Sequence, residues 1–562
     1  MGEGKLEMKG ITIHPTAIVS EQAEIGEGTQ VWAYAQVREW AKIGRHCIIG
    51  NGAYIDKGVK IGDRCNIHNK ALLYRNLIVE EEVFIGPGVC FTNDPLPRSN
   101  RIRNLEGLEW RIRKGASVGA NSTILPGVTV GQYAMVGAGS LVSRDVPDCG
   151  LVYGVPARLQ GFVSPEGELM DRRDPVLLTA RWLLDSGIQD LSGEADKRGG
   201  VHAWYEREGN FYPFLYSEIT GYAMTTFVFL DRVFPNSVWM GRAELAAQWL
   251  IQNAFHEAGG VKSRDYLVER AFVESYAFTQ GRLFAFDTAM VGYGLLQLYQ
   301  RKGAEEGRIY LRYAERAADF LKRTLKKSDG RVYPYFDLKT GASGEEFDKW
   351  SNQTGSFHAK LALFLIDHYR LTGDPSSREL ALKLLDYALS LQAQDGRFIT
   401  SLKDESTELH PHCYTLEGLL YGALILKEDQ YLPPIRKGMK WLLDSTAEDG
   451  SLPSVYRKGE FARFERSDVA AQVLRMGALL SGIGEAPAQT MAGTLKKIQQ
   501  HLCACQFRQE DSQKGGFLYG YSVEGKPLRH LNSWCSMFAL QALWMYEEFV
   551  EKKRPVTLEN FI

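Results

Sequence analysis

From Ile13 onward every sixth residue is apolar: Ile13, Val19, Ile25, Val31, Val37, Ile43, Ile49, Ile55, Ile61, Ile67, Leu73, Val79, Ile85 and Phe91. The beat lapses and resumes in a shifted phase at Val118, Ile124, Val130, Val136 and Val142. Glycine follows the apolar residue at Gly26, Gly44, Gly50, Gly62, Gly86, Gly119, Gly131 and Gly137, where a Cβ would crowd a sharp turn. A six-residue period is too short for a pair of helices and is the mark of a parallel β-helix. Three hexads make one triangular coil with the apolar residue pointing inward, so these positions predict about six coils. Each coil leaves strand edges that only the next can pair, so the stack must be capped.

After Pro156 the pattern changes. Residues 162–173 are polar and read as a linker. A 3.6-residue periodicity then predicts twelve helices, at 174–187, 220–234, 241–254, 286–303, 308–325, 355–373, 376–392, 412–427, 433–446, 466–480, 492–506 and 532–549. Six glycine turns punctuate them: Gly199-Gly200, Gly259-Gly260, Asp329-Gly330, Asp395-Gly396, Asp449-Gly450 and Gly515-Gly516. A helix, turn and helix repeated every 54–70 residues predicts an all-α ring of six pairs, an (α/α)6 toroid, over 174–552. In architecture and spacing this resembles the superfamily of sugar epimerases, polysaccharide lyases and some glycoside hydrolases.

The first quarter, residues 11–161, resembles the left-handed β-helix acyltransferases; the hand comes from the resemblance, because parallel crossovers are ordinarily right-handed. The matching segments are Ile13-His14-Pro15-Thr16-Ala17, Phe91-Thr92-Asn93-Asp94 with Pro97-Arg98-Ser99, Gly119-Ala120-Asn121, Val136-Gly137-Ala138-Gly139 and Gly154-Val155-Pro156-Ala157-Arg158. More narrowly, it is similar to the N-acetyltransferases that acylate the 3-amino group of a nucleotide sugar such as UDP-2-acetamido-3-amino-2,3-dideoxyglucuronate. The resemblance implies acetyl-CoA as co-substrate, a nucleotide-linked amino sugar as acceptor, a cleft between subunits and hence a homotrimer.

Composition removes other classes. The length of 562 residues exceeds one domain, and a net charge of −2 gives no global pull toward nucleic acid or anionic membranes. No apolar run reaches the roughly 20 residues needed to span a bilayer. Met1 to Gly10 lacks the apolar core of a secretory signal, so a cytoplasmic location is expected. The eight cysteines are scattered, and Cys503 and Cys505 lack a matching pair; no metal site is predicted.

Acetyl transfer to an amine needs a neutral amine, a thioester within reach and a donor for the oxyanion. The lapse between Phe91 and Val118 predicts a loop carrying Asn93, Asp94, Arg98, Arg101, Arg103, Arg111, Arg113 and Lys114. By resemblance, Asn93 contacts the reacting amine, as an orienting or charge-stabilising group; an Asx-turn at the loop start is the bland alternative. His68, one residue after the inward Ile67, is the candidate base; a surface histidine is its alternative. His14 is either a substrate contact or a cap on the first coil. Gly137, Ala138 and Gly139 suit the pantetheine arm, Arg158 or Lys114 the phosphates of coenzyme A, and Asp94 and Arg98 the nucleotide sugar.

In a toroid, inner-helix N-termini line a central funnel. The candidates there are Glu218, Tyr222, Asp287, His358, His410, His412, Tyr414, Asp468 and Trp534. Trp204, Tyr205, Tyr519 and Tyr521 could stack on pyranose faces. His358 with His410 or His412 would suit epimerisation, Glu218 with Asp468 hydrolysis, and Tyr222 or Tyr414 a lyase or uronate epimerase; the alternative is an inert, helix-capping set. The expected protein is an acetyl-CoA-dependent N-acetyltransferase of surface glycan biosynthesis whose toroid binds or modifies a related carbohydrate. Its rivals are an acetyltransferase for a dTDP-3-amino-3,6-dideoxyhexose, and a non-catalytic trimeric scaffold displaying glycan-binding toroids.

Overall fold

The computed structural model describes every residue except 1–5, 9, 101–108, 147, 164–166, 168–173, 236, 268–278, 463, 485–491, 510, 522–525, 527, 529, 557–560 and 562. Most of the expected linker, together with Arg101 and Arg103, lies outside the described residues. The chain forms two compact units, Met1–Asp174 with Asp231–Val238, and Pro175–Leu230 with Trp239–Ile562.

In the first unit each hexad becomes a two-residue strand and a turn. A strand pairs in parallel with the strand one coil on: Ile43 lies beside Ile61, and Ile61 beside Val79. The strands make three parallel faces of a solenoid. The first face runs from Ile11–Ile13 to Gly150–Gly154, the second from Ile18–Val19 to Leu141–Val142, and the third from Glu24–Ile25 to Thr129–Val130. Val31, Ile49, Ile67, Ile85, Val118 and Val136 form one buried column inside the first face. Antiparallel strands cap both ends, Leu6–Met8 on Ile11–Ile13 and Ala157–Phe162 on Gly150–Gly154, which covers edges that would otherwise template aggregation.

The structure corrects the extent of the loop. Trp110–Ile112 is a strand of the third face, paired with Leu77–Val79. Arg111, Arg113 and Lys114 therefore belong to a coil and its turn, not to the excursion. Ile112 falls six residues before Val118, so the resumed beat starts one hexad earlier than the sequence reading placed it.

The second unit has twelve α-helices among the described residues: α1 Pro175–Asp185, α2 Ser217–Val233, α3 Ser237–Trp249, α4 Ala285–Glu306, α5 Arg308–Asp319, α6 Leu361–Thr372, α7 Pro375–Ser390, α8 Leu409–Leu426, α9 Leu432–Asp444, α10 Ser467–Gly482, α11 Ala492–Ala504 and α12 Ser533–Met545. The even-numbered helices form an inner ring. α4 packs on α6, α6 on α8, α8 on α10 and α10 on α12. Gly221 and Gly294 let α2 and α4 approach closely: a Cβ on Gly294 would lie 2.6 Å from the Gly221 carbonyl. Tyr222 of α2 meets Phe538 of α12 at 5.2 Å between ring centroids, which closes the circle.

Each glycine turn docks on an outer helix of the next pair. Gly199, Gly259, Gly330, Gly396, Gly450 and Gly515 all hold positive φ, between 85° and 106°. A Cβ on Gly515 would strike the Leu178 carbonyl of α1, and one on Gly450 the Lys497 carbonyl of α11. Short strands then lead into the inner helices, among them Phe214–Tyr216 into α2, Arg282–Phe284 into α4 and His530–Asn532 into α12. That connection delivers inner-helix N-termini to one end of the ring.

Candidate functional site

Each unit contains a cavity built from positions that its repeat makes equivalent. On the β-helix, the residue after each inward apolar residue of the first face sits on one edge: His14, Trp32, Gly50, His68, Gly86, Gly119, Gly137 and Tyr153. Bulky rings below and above the bare Gly50 leave a groove of about 390 Å³, lined by His14, Trp32, Ala33, Asn51, His68 and Asn69. Further along, Gly86, Gly119 and Gly137 carry no side chain and let successive coils pack closely; a Cβ on Gly119 would come 2.5 Å from the Ala138 nitrogen. His68 is exposed, its ring 4.7 Å from that of Phe84. His14 Nδ1 accepts the Thr16 N–H at 3.2 Å, which ties the ring to the first turn as well as to the groove.

The other acetyltransferase candidates divide among the edges of the solenoid. Gly137, Ala138 and Gly139 follow a first-face strand, and Arg158 faces Tyr153 across the capping hairpin, so both share the edge of His68. Asn93, Asp94 and Arg98 follow Cys90–Phe91 of the second face. Asn93 and Asp94 are half-buried, and Asp94 Oδ1 accepts the Leu96 N–H at 2.9 Å in an Asx-turn. Lys114 follows the third face, where its ammonium lies 3.3 Å from Glu81 and 3.7 Å from Glu82. Trp32 was missed by sequence reasoning; its signal is a large aromatic ring on an edge where half of the positions are glycine.

The toroid holds a cavity of about 380 Å³ at the inner-helix N-termini. Glu218 of α2, Asp287 of α4, His410 and Tyr414 of α8 and Trp534 of α12 line it. Trp204, Phe286, Trp350 and Tyr519 add aromatic wall, and Arg264, Lys349 and Arg466 add cations. Asp468 stands behind: Arg466 Nε donates to it at 3.1 Å, Trp534 Nε1 at 3.0 Å, and His410 Nδ1 is 3.1 Å away. His410 Nδ1 also lies 2.8 Å from Gln472 Oε1, which leaves Nε2 as the ring nitrogen for the cavity. Burial pulls the His410 imidazole down to about 4, so it is neutral at pH 7. Burial would push Asp468 up, but Arg466 and His410 hold it below the ordinary carboxylate range.

Glu218 and Asp287 occupy the first turns of α2 and α4. Burial and then the Asp287 charge push Glu218 up to about 8; burial raises Asp287 to about 6. Beneath them, Tyr222 donates to Tyr414 at 3.2 Å, and Lys360 Nζ sits 2.6 Å from Glu417 Oε2 with Arg475 on the other carboxylate oxygen. Burial lowers Lys360 to about 8. Lys360 and Arg475 escaped the sequence reading because they fall among core apolar residues.

Two candidates lie away from the cavity. His412 accepts the Phe398 N–H at 3.0 Å and faces the Gly438 carbonyl of α9 at 3.4 Å. His358 is buried against Phe357, nearest in charge to Glu345, Lys327 and Arg331. Of the three histidines considered for an imidazole pair, only His410 lines the cavity. Among the predicted aromatics, Trp204 and Tyr519 line it, whereas Tyr205 donates to Asn210 at 2.6 Å. Among the described residues no cluster of three or more His, Cys, Asp or Glu is arranged to hold a metal ion, and no helix is long and apolar enough to cross a membrane.

Comparison with known proteins fits each unit to its repeat. Residues 9–57 match the bacterial transferase hexapeptide model of six repeats, and residues 111–144 match the hexapeptide repeat of succinyl-transferase. The dTDP-3-amino-3,6-dideoxy-alpha-D-galactopyranose 3-N-acetyltransferase of Aneurinibacillus thermoaerophilus is 62% identical over 52 residues, which is 9% of this chain and 27% of that protein. The chain thus spans about a quarter of that relative's length, and 44% of the galactoside O-acetyltransferase of Lactococcus lactis, to which it is 30% identical over 93 residues. Cellobiose 2-epimerase from Bacillus thermoamylovorans B4167 superposes with a TM-score of 0.53 at 12% identity, over 65% of this chain and 95% of that one. A D-mannose isomerase gives a TM-score of 0.53 at 11% identity, over 67% and 98% of the two chains. The protein is therefore a hexapeptide-repeat β-helix followed by an (α/α)6 toroid with the fold of sugar epimerases.

Proposed function

We propose that the β-helix transfers acetyl from acetyl-CoA to the amine of a nucleotide-linked 3-amino sugar, and that the toroid cavity holds a carbohydrate. The observation that carries the reading is the shared edge: a groove with His14, Trp32 and His68 leads into the glycine track of Gly86, Gly119 and Gly137. A groove with an imidazole suits the amine, and a track without side chains suits the amide-rich pantetheine arm. Asn93 lies on a different edge of the same chain. A homotrimer would bring a neighbour's Asn93 loop toward the His68 edge, with Arg158 available to the coenzyme phosphates and Arg98 to the nucleotide.

Two acceptors compete, a UDP-linked 3-amino sugar uronate and a dTDP-3-amino-3,6-dideoxyhexose. The 62% identical stretch shared with the dTDP-sugar enzyme favours testing the second first. Free-thiol release from acetyl-CoA should accelerate with one of these acceptors. His68→Ala should lower kcat/KM by about 10²-fold or more, as expected of a lost general base. Asn93→Ala should lower it without changing the sedimentation coefficient. Unchanged rates in both variants would remove His68 and Asn93 from the site, and no turnover with either acceptor would leave only the scaffold reading.

A further inference from the structure

The toroid cavity brings together a carboxyl pair, Glu218 and Asp287, that is neither the imidazole pair nor the Glu218–Asp468 pair suggested by the sequence. Asp468 is held by Arg466, Trp534 and His410. With only one histidine on the cavity wall among the described residues, a two-imidazole proton relay has no second member. Glu218 and Asp287, by contrast, stand on adjacent inner helices and line the same cavity. Both are more than nine-tenths buried, and Asp287 Oδ2 has no hydrogen-bond partner among the described residues. The groups that face the pair are the cations of Arg264, from the extended segment beside α2, and Lys360, from the turn before α6, with the Tyr216 hydroxyl at Glu218 and the Ser263 hydroxyl at Asp287. Trp204, Phe286, Trp350 and Trp534 supply faces on which a pyranose can stack.

We propose that the toroid hydrolyses a glycosidic bond of a pyranoside, with Glu218 as proton donor to the leaving oxygen and Asp287 as the base that activates water; this rests on the reading of the cavity as a carbohydrate site. The glycosidic C1–O bond breaks, its electron pair stays on the leaving oxygen, and that oxygen takes the Glu218 proton. Water bonds to C1 through its oxygen and gives a proton to the Asp287 carboxylate. One water adds across the bond, and the two carboxyls regain their starting states by proton exchange with solvent. The division of roles follows from environment: burial and the neighbouring Asp287 charge both favour the protonated form of Glu218, whereas Ser263 and Arg264 oppose the effect of burial on Asp287. His410 Nε2 is then left to hold a sugar hydroxyl.

The test uses the full chain with 2,4-dinitrophenyl glucoside, galactoside, mannoside and glucuronide in both anomeric forms, and with the corresponding disaccharides. Cleavage of at least one is expected, with activity rising as Asp287 ionises and falling as Glu218 does. Glu218→Gln should slow disaccharide cleavage by about 10²-fold or more, while the dinitrophenyl glycoside, whose leaving group needs no proton, stays within about tenfold. The same variant should lose the alkaline limb of the pH profile. Asp287→Asn should be slow on both substrates, and azide should restore it with formation of a glycosyl azide. That chemical rescue separates a catalytic loss from misfolding. Sugar binding, read by quenching of cavity tryptophan fluorescence, is a separate measurement. Quenching without cleavage of any glycoside, unchanged rates in both variants, or solvent deuterium entering a free sugar with every glycoside intact would each overturn the hydrolase while leaving the carbohydrate site standing. Absence of any quenching would remove the carbohydrate reading itself.

Discussion

At the scale of single residues, angular position separated the funnel candidates. His410 and His412 are two residues apart on α8, about 200° around the helix, so they cannot share a wall. The inner-helix start told sequence reasoning which turn to search; it could not tell which side of that turn faced inward. Glu218, Asp287 and Trp534 were legible because they sit in the first turn after an extended lead-in. Arg264 and Trp350 were not, because they come from a three-residue strand and a single 3-10 turn between the helices. The two histidines therefore predict opposite phenotypes. His412→Ala removes an acceptor for the buried Phe398 N–H, which costs roughly 1–3 kcal/mol, and should lower the urea midpoint while leaving sugar quenching intact. His410→Ala should weaken quenching. Reversal of the two effects would contradict the placement of the rings.

At the scale of elements, period was the most informative property of the chain. A hexad specifies where each strand lies and which residue it pairs with one coil away, so the solenoid could be read almost residue by residue. It failed at Trp110–Ile112, where an excursion had reset the phase, and at Gly150–Gly154, whose Val152 falls off the beat that ends at Val142. The twelve helices were similarly legible, because each is amphipathic or apolar and the pairs are separated by glycine turns. What the sequence did not disclose is why those glycines recur. The left-handed φ and the abutting carbonyl of an outer helix each exclude a side chain. Gly450→Ala should consequently destabilise the toroid, the reverse of the gain of up to about 1 kcal/mol that Gly→Ala brings where the backbone is helical, because a Cβ there would lie 2.3 Å from the Lys497 carbonyl oxygen. Gly459→Ala, also at positive φ but with nothing within 4 Å, is the control that isolates the packing term. Equal shifts in Tm for the two variants would mean that strain, and not docking of the turn, governs these sites.

At the scale of the whole molecule, the two units differ in how they store protons. The three histidines of the β-helix, His14, His46 and His68, are not buried. In the toroid, burial lowers His358 and His412 to about 3 and His368, His410 and His530 to about 4. An unfolded chain binds protons at these imidazoles near pH 6.5, so it carries more protons than the folded toroid between that pH and about 4. Their neutral burial is fully tolerated above pH 6.5, and stability is withdrawn as pH falls below it, by up to about 1.4 kcal/mol per pH unit for each group. His501 has the opposite sign. Although burial would lower it, its contacts with Cys505 and Glu465 raise it to about 10, so its contribution is complete below 6.5 and lost only as pH rises through 10. It therefore does not oppose acid loss in the lower window. Calorimetry at pH 7 and pH 5 should show two transitions, of which the one assigned to the toroid moves down steeply and the one assigned to the β-helix moves much less. Replacing His358 with glutamine should flatten that dependence by about one proton. A toroid transition that ignores pH across this interval would mean that the buried imidazoles are already charged or already solvated at neutrality.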